Sequence, residues 1–129
     1  MRILVVDDDR RLLEEINKIL SRNGHSVDCI DNATRAVVMA GLSRYDFVLV
    51  DYRMPEHDGF WFMKNVSLPR DTKTLLVTSY VDRNVIKQMF NAGISGYVVK
   101  PFNESELLRH LEFHSNNHNN LHNINPKEV

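Results

Sequence analysis

The chain has one cysteine, Cys29, so it can form no internal disulfide and its stability must come from packing. No apolar run approaches the 20 or so residues a membrane-spanning helix needs, and no such span is expected. Charge of either sign is nearly absent in net: 16 basic against 17 acidic residues leave −1, which gives no general electrostatic case for nucleic acid or an anionic membrane. No P-loop, basic stripe or recognition helix is present, so no direct binding of DNA or nucleotide by this chain is expected. Met1-Arg2-Ile3 runs straight towards Asp7, too short and too acidic for a signal peptide, and the expected location is the cytoplasm. Internal repeats are also missing. What remains is ordinary: 129 residues, 43% apolar and 26% charged, enough for one domain that buries roughly two thirds of its unfolded surface.

The apolar residues fall into two patterns. Short strand-like runs occur at Ile3–Val6, Ser26–Ile30, Phe47–Val50, Thr74–Val77 and Gly96–Val99, most of them continuously apolar, as expected of parallel strands covered on both faces. Helical spacing lies between them. Leu12, Leu13, Ile16, Ile19 and Leu20 form one stripe, stopped by Asn23-Gly24; Ala33, Ala36, Val37 and Ala40 form a second, ending near Gly41. Phe60, Met63 and Val66 follow Gly59, and Asp82 caps a helix with Val85, Ile86, Met89 and Phe90 that ends at Gly93. Asn103 with Glu106 makes a capping-box variant ahead of Leu107, Leu108 and Leu111. Five strands alternating with five helices predict a doubly wound α/β fold with a parallel sheet. After residue 115 the run Ser115-Asn116-Asn117-His118-Asn119-Asn120 has nothing to build a core from. Residues 1–115 are therefore expected to be the domain, and 116–129 a polar tail or the start of a linker.

Chemistry collects where the strands end. Asp51 closes Phe47-Val48-Leu49-Val50 and opens the loop Tyr52-Arg53-Met54-Pro55-Glu56-His57-Asp58-Gly59; Asp7-Asp8-Asp9, Thr78-Ser79 and Lys100-Pro101 each follow another strand. In doubly wound sheets ligands sit beyond the carboxyl ends of the strands, so these groups should meet on one edge. Carboxylates packed within about 4 Å repel by roughly 4 kcal/mol per pair at an effective dielectric of 20, and need a cation. Lys100 supplies one positive charge, and hard oxygen ligands favour Mg²⁺ for the rest. A carboxylate beside Mg²⁺ and Lys suits in-line attack on a phosphoryl group, with Thr78 donating to a phosphoryl oxygen and the small Ser79 leaving the approach open. Taken singly, Asp9, Glu56 and Asp58 are better explained as solvated loop ends. Chance is a poor account of four strands ending in complementary chemistry.

The segments Ile3-Leu4-Val5-Val6-Asp7-Asp8-Asp9, Val50-Asp51-Tyr52-Arg53-Met54-Pro55 with Asp58-Gly59, Val77-Thr78-Ser79, and Gly96-Tyr97-Val98-Val99-Lys100-Pro101-Phe102 together resemble the receiver domain of bacterial two-component response regulators. The resemblance covers residues 1 to about 115. It implies a flavodoxin-like five-stranded parallel sheet in the order 2-1-3-4-5, with helices on both faces. It implies that Asp51 takes a phosphoryl group from a histidine kinase or a phosphotransfer protein. Asp8, Asp51 and the backbone carbonyl of Arg53 would hold Mg²⁺, with Asp7 acting through water; Lys100 would pair with the phosphoryl group, and the Lys100-Pro101 bond would be cis. Thr78 and Tyr97 would form a switch that biases the surface of the fourth helix, fifth strand and fifth helix, through which a homodimer could form. The domain would be a signalling module acting only on its own phosphorylation, and it would control transcription through an output domain outside this chain. Two positions vary within the family: Arg53 and Tyr80 carry large side chains here and are expected to shield the phosphoryl site from water. The sequence Ser95-Gly96-Tyr97 lacks the acidic pair typical of winged-helix regulators, which weakens transfer of their dimer contacts.

Two other readings compete. A haloacid-dehalogenase-like phosphatase would use Asp7 as nucleophile and Asp9 as acid, but Arg11 stands where Thr or Val is expected and no acidic pair follows Lys100. A pseudo-receiver would be a binding module that is never phosphorylated, yet none of the acidic, Thr or Lys positions is missing. Elsewhere, His110, His114, His118 and His122 lie four apart and would form a metal-binding stripe on a continuous helix, but the surrounding asparagines favour a polar tail. Trp61 is expected to lie partly buried under a loop, Cys29 in its strand as a small core residue, and His25 and His57 in surface loops.

Overall fold

The computed structural model describes residues 1–123, with side chains described over residues 1–115. The elements alternate as β1 (Arg2–Val6), α1 (Arg10–Arg22), β2 (Ser26–Ile30), α2 (Ala33–Leu42), β3 (Phe47–Val50), α3 (Gly59–Asn65), β4 (Lys73–Thr78), α4 (Arg83–Asn91), β5 (Gly96–Val99) and α5 (Glu104–Asn123). All strand pairs are parallel, in the order β2-β1-β3-β4-β5. The expected sheet order and fold class are both present.

Strand alternation sorts the core into layers. Ile3 and Val5 of β1, Phe47 and Leu49 of β3, Leu75 and Val77 of β4 and Val98 of β5 pack with Leu13, Ile16 and Leu20 of α1 and Leu107 and Leu111 of α5. Leu4 and Val6, with Val48 and Val50, face the other way onto Ala33, Ala36 and Ala40 of α2 and Phe62 of α3. Leu76 faces Met89 of α4 and Ile94, with Tyr52, Phe60 and Met63 against them. The fully buried residues of α2 are all alanines, with Val37 and Met39 packed partly buried beside them.

Capping fixes where helices begin. Asp9, Asn32, Asp58 and Asp82 each accept a backbone N–H from the first turn that follows, and Asn103 and Glu106 bond reciprocally, N–H to side chain, at 2.8 and 3.2 Å. Gly24, at φ +88°, ends α1 in the left-handed conformation that glycine adopts without strain.

Two expectations are corrected. In α3 the inward residue is Phe62, fully buried, while Phe60, Met63 and Val66 are only partly buried; the short helix meets two cores at once, so a single stripe does not describe it. In β5 the alternating pattern leaves Tyr97 and Val99 exposed on the α4 side, and Phe90 of α4 is exposed too, so this edge strand is not covered on both faces. Apart from these, α5 continues past the change in composition after residue 115, as far as Asn123. The poorer propensity of Asn costs only a few tenths of a kcal/mol per residue, too little to end a helix already nucleated over Leu107–Leu111. Residues 124–129 and the side chains of His118 and His122 lie outside the described residues, so the four-histidine stripe falls partly beyond them. Cys29 is half-buried on the edge strand β2, and His25 and His57 are partly buried. Trp61 is partly buried with its ring stacked on the loop residue His57, centroids 3.8 Å apart.

Candidate functional site

The carboxyl edge of the sheet gathers the groups that the sequence scatters. Asp7 follows β1, Asp51 follows β3, Thr78 ends β4 and Lys100 follows β5. The register continues past the strand ends: the Asp51 amide donates to the Val6 carbonyl at 3.0 Å, and the Lys100 amide to the Thr78 carbonyl at 2.9 Å. Asp7, Asp51 and Thr78 are buried, Asp8 is exposed and Lys100 is partly buried.

Lys100 Nζ donates to Asp7 Oδ2 at 2.6 Å and to Asp51 Oδ2 at 3.1 Å, one ammonium holding two carboxylates from different strands. The Lys100-Pro101 bond is cis, as expected. The remaining carboxylate oxygens take backbone donors: Asp7 Oδ1 accepts from the Asp9 amide at 2.9 Å, and Asp51 Oδ1 from the Tyr52 amide at 2.7 Å. Burial pushes the Asp7 carboxyl above the ordinary aspartate value, a shift that its bond to Lys100 and the Asp9 amide oppose. Burial likewise presses on the Lys100 ammonium, but the Asp7 hydrogen bond and the charges of Asp51 and Asp7 outweigh it, so its pKa stands above the lysine norm. Lys100 is therefore a fixed positive charge at any physiological pH.

Asp7, Asp8 and Asp51 each offer a carboxylate oxygen, and these atoms lie within 4.8 Å of one another. Three carboxylates facing one ammonium leave a surplus of negative charge, on an edge where one donor is exposed and open to water. An all-oxygen set with an accessible position fits a hard divalent cation such as Mg²⁺ better than Zn²⁺, which prefers nitrogen and sulfur.

The loop after Asp51 is shaped by contacts that the sequence only hinted at. A Cβ on Gly59 would lie 2.6 Å from the Asp51 carbonyl oxygen and 3.0 Å from Tyr52 Cα, so only glycine lets α3 start this close behind Asp51. The Gly59 amide donates to the Tyr52 carbonyl at 2.7 Å, and Asp58 caps α3 through the Trp61 amide at 2.9 Å. Asp9 and Asp58 are thus helix caps, not solvated loop ends; each directly precedes a helix start, the signal that identifies an N-cap. Glu56 is exposed, at φ +69°. Arg53 is exposed, and its guanidinium lies 3.7 Å from the centroid of the Tyr80 ring. Tyr80 stacks in turn on Tyr52, centroids 5.8 Å apart and planes 14° from parallel. The part of Tyr52 in this wall went unrecognised in the sequence, since nothing in one chain marks the residue after Asp51 as a stacking partner.

The two switch candidates differ in environment. The Thr78 hydroxyl is buried and accepts from the Tyr80 amide at 3.1 Å. Tyr97 points outward, 37% exposed, edge-on to Phe90 at 6.3 Å. Among the described residues no helix is long and apolar enough to cross a membrane.

Known proteins resemble this chain in sequence and in fold. The family model of the response regulator receiver domain matches residues 3–112. Among characterised proteins, the chain is 30% identical over 107 residues to the transcriptional regulatory protein ResD of Bacillus subtilis, covering 83% of this chain and 45% of ResD. It is 35% identical over 113 residues to the response regulator MprA of Mycobacterium avium, covering 86% of this chain and 49% of MprA. The chain therefore spans about half the length of these relatives. Among solved structures, the chemotaxis protein CheY4 of Vibrio cholerae superimposes with a TM-score of 0.82 at 29% identity, over 86% of this chain and 95% of that one.

Proposed function

The chain belongs to the response regulator receiver family, and from that premise we propose that Asp51 is the phosphoryl acceptor of a two-component relay. The observation that carries this reading is the Lys100 ammonium shared between Asp7 and Asp51 inside a three-carboxylate cluster. Receivers of this family take their signal from histidine kinases or phosphotransfer proteins; the donor here is proposed to be one of these, in the cytoplasm. A carboxylate oxygen of Asp51 attacks phosphorus, the P–N bond to the donor imidazole breaks, and the imidazole leaves with the bonding pair and takes up a proton. The product is an acyl phosphate on Asp51.

Lys100 stays protonated throughout and moves its hydrogen bond from the Asp51 carboxylate to a phosphoryl oxygen. Asp8, Asp51 and the Arg53 carbonyl would hold Mg²⁺, with Asp7 acting through water. When bound, the ion supplies charge neutralisation at the transferring oxygens. Thr78 donates its hydroxyl to the phosphoryl group and Tyr97 turns inward, which biases the α4–β5–α5 surface between two states. Arg53 and Tyr80 cover the approach and slow hydrolysis. The receiver domain is proposed to occupy residues 1–115, and the α4–β5–α5 surface to support a homodimer. The output proposed is transcriptional control through a domain outside these 129 residues, the role that the name of ResD states for ResD.

The test is labelling with acetyl phosphate and Mg²⁺, followed by mapping of the modified residue. Acid-labile phosphate on Asp51, lost in Asp51→Asn, is the expected result. Label on Asp7 would favour a haloacid-dehalogenase-like phosphatase, and no label at all a pseudo-receiver.

A further inference from the structure

The loops after β3 and β4 are joined by a stack that reaches from the α3–α4 core to solvent. Its anchored end is Tyr52, whose half-buried ring packs with Val85 and Ile86 of α4 against Leu76. Tyr80 lies on Tyr52 at 5.8 Å, and the exposed Arg53 guanidinium covers Tyr80 at 3.7 Å. Each tyrosine is also tied through its backbone to a reacting group: the Tyr52 amide donates to Asp51 Oδ1 at 2.7 Å, and the Tyr80 amide to Thr78 Oγ1 at 3.1 Å. Asp51, Tyr52, Tyr80 and Thr78 are therefore joined in an open chain of contacts. Two of its links are hydrogen bonds and one is an aromatic stack, capped by a cation.

Thr78 is 1% exposed, so its hydroxyl cannot exchange the Tyr80 amide for water. Moving it towards a phosphoryl group on Asp51 means breaking that bond, and the freed amide and its ring move with the loop. We propose that the Tyr52–Tyr80–Arg53 stack is a latch that holds Thr78 in its resting position, with Tyr52 and Tyr80 as positioning residues for the switch. This rests on the phospho-acceptor reading but goes beyond shielding. A shield alters how fast water or a phosphodonor reaches Asp51; a latch also alters the resting position of Thr78 in the unphosphorylated protein.

The experiment compares Tyr80→Ala, Tyr52→Leu and their double variant in the full chain. It measures the initial rate of labelling by acetyl phosphate with Mg²⁺ and the methyl resonance of Thr78 in unphosphorylated protein. Tyr52→Leu keeps apolar packing against Leu76, which guards against simple unfolding. Each single variant is expected to raise the rate by about threefold to tenfold, the range that loss of one aromatic pair supports. Because the residues act as one unit, the double variant should gain little more. The Thr78 methyl should shift in the direction that phosphorylation itself produces, and Tyr80→Phe, which restores the ring, should restore the wild-type resonance. Additive rate effects, or an unmoved Thr78 methyl, overturn the latch while leaving Asp51 as acceptor intact. Absence of label in wild-type protein overturns the acceptor reading itself.

Discussion

The carboxyl edge of the sheet and the α4–β5–α5 face are opposites in how they are determined. At the edge, each of the carboxylates Asp7 and Asp51 has a named donor on both oxygens, and Gly59 admits no other residue behind Asp51. On the face, Phe90, Tyr97, Val99 and Phe113 are large apolar groups left between 37% and 54% exposed, held by edge-on aromatic contacts of Phe90 with Tyr97 and of Phe113 with His114. The edge is over-determined and should tolerate no change in chemistry. The face is under-determined, and its residues are free to move or to be covered. The proposed function uses both properties, one to capture a phosphoryl group and one to change on capture.

The sharpest way to break this contrast is at Asp51. Asp51→Asn should abolish labelling by acetyl phosphate, yet it removes one of three crowded charges and should leave the fold intact by circular dichroism. Residual labelling at the wild-type level would end the assignment. Lys100→Ala comes next. It leaves Asp7 and Asp51 buried without their ammonium, and is expected to destabilise the Mg²⁺-free protein by about 2 kcal/mol in urea unfolding. Mg²⁺ should recover part of that loss by binding the folded state, while output stays uncoupled from phosphorylation. Unchanged signalling in the variant would count against the role given to Lys100. Gly59→Ala should cost about 1–3 kcal/mol, because its methyl group must displace the Asp51 backbone. Weaker Mg²⁺ binding should accompany it, and an unaltered Mg²⁺ titration would show that the close approach matters to stability alone.

Protonation gives a subtler probe of the edge. Asp7 has a folded-state pKa above its unfolded value, because burial disfavours its charge. Its protonated form therefore adds stability below the unfolded value, and that contribution is lost as pH rises through the raised folded one. In Mg²⁺-free buffer, the stability of wild type relative to Asp7→Asn should fall from acidic towards neutral pH. A pH-independent difference would contradict the sign. Lys100, raised above the lysine norm, would lose its contribution only at strongly alkaline pH.

The same contrast explains what the sequence revealed. The reactive groups at the strand ends were legible, because Asp7, Asp51, Thr78 and Lys100 follow apolar runs and must surface where those strands end, whereas the caps Asp9 and Asp58 read as loop ends. The Asn103–Glu106 capping box was legible for the same local reason. Surroundings set by packing between distant elements were not. Phe62 replaces Phe60, Met63 and Val66 as the buried residue of α3 because that helix sits at the junction of two cores, which no single-helix pattern encodes. The Tyr52–Tyr80–Arg53 stack depends on two loops meeting, 28 residues apart in sequence.

The smallest expected effect lies on the face, where it discriminates most. Phe90 is 43% exposed at the end of α4 and touches Tyr97 only edge-on. Phe90→Ser should therefore change unfolding free energy by no more than about 0.5 kcal/mol, as for surface sites generally. If the apolar face is where phosphorylated copies of this chain associate, the same substitution should shift the phosphorylated protein towards monomer in sedimentation velocity and leave labelling of Asp51 at the wild-type rate. A large loss of stability would mean that the face is already packed as core, and the distinction between a fixed edge and a free face would fail at that residue. Unaltered association with unaltered stability would keep the distinction and remove Phe90 from the contact.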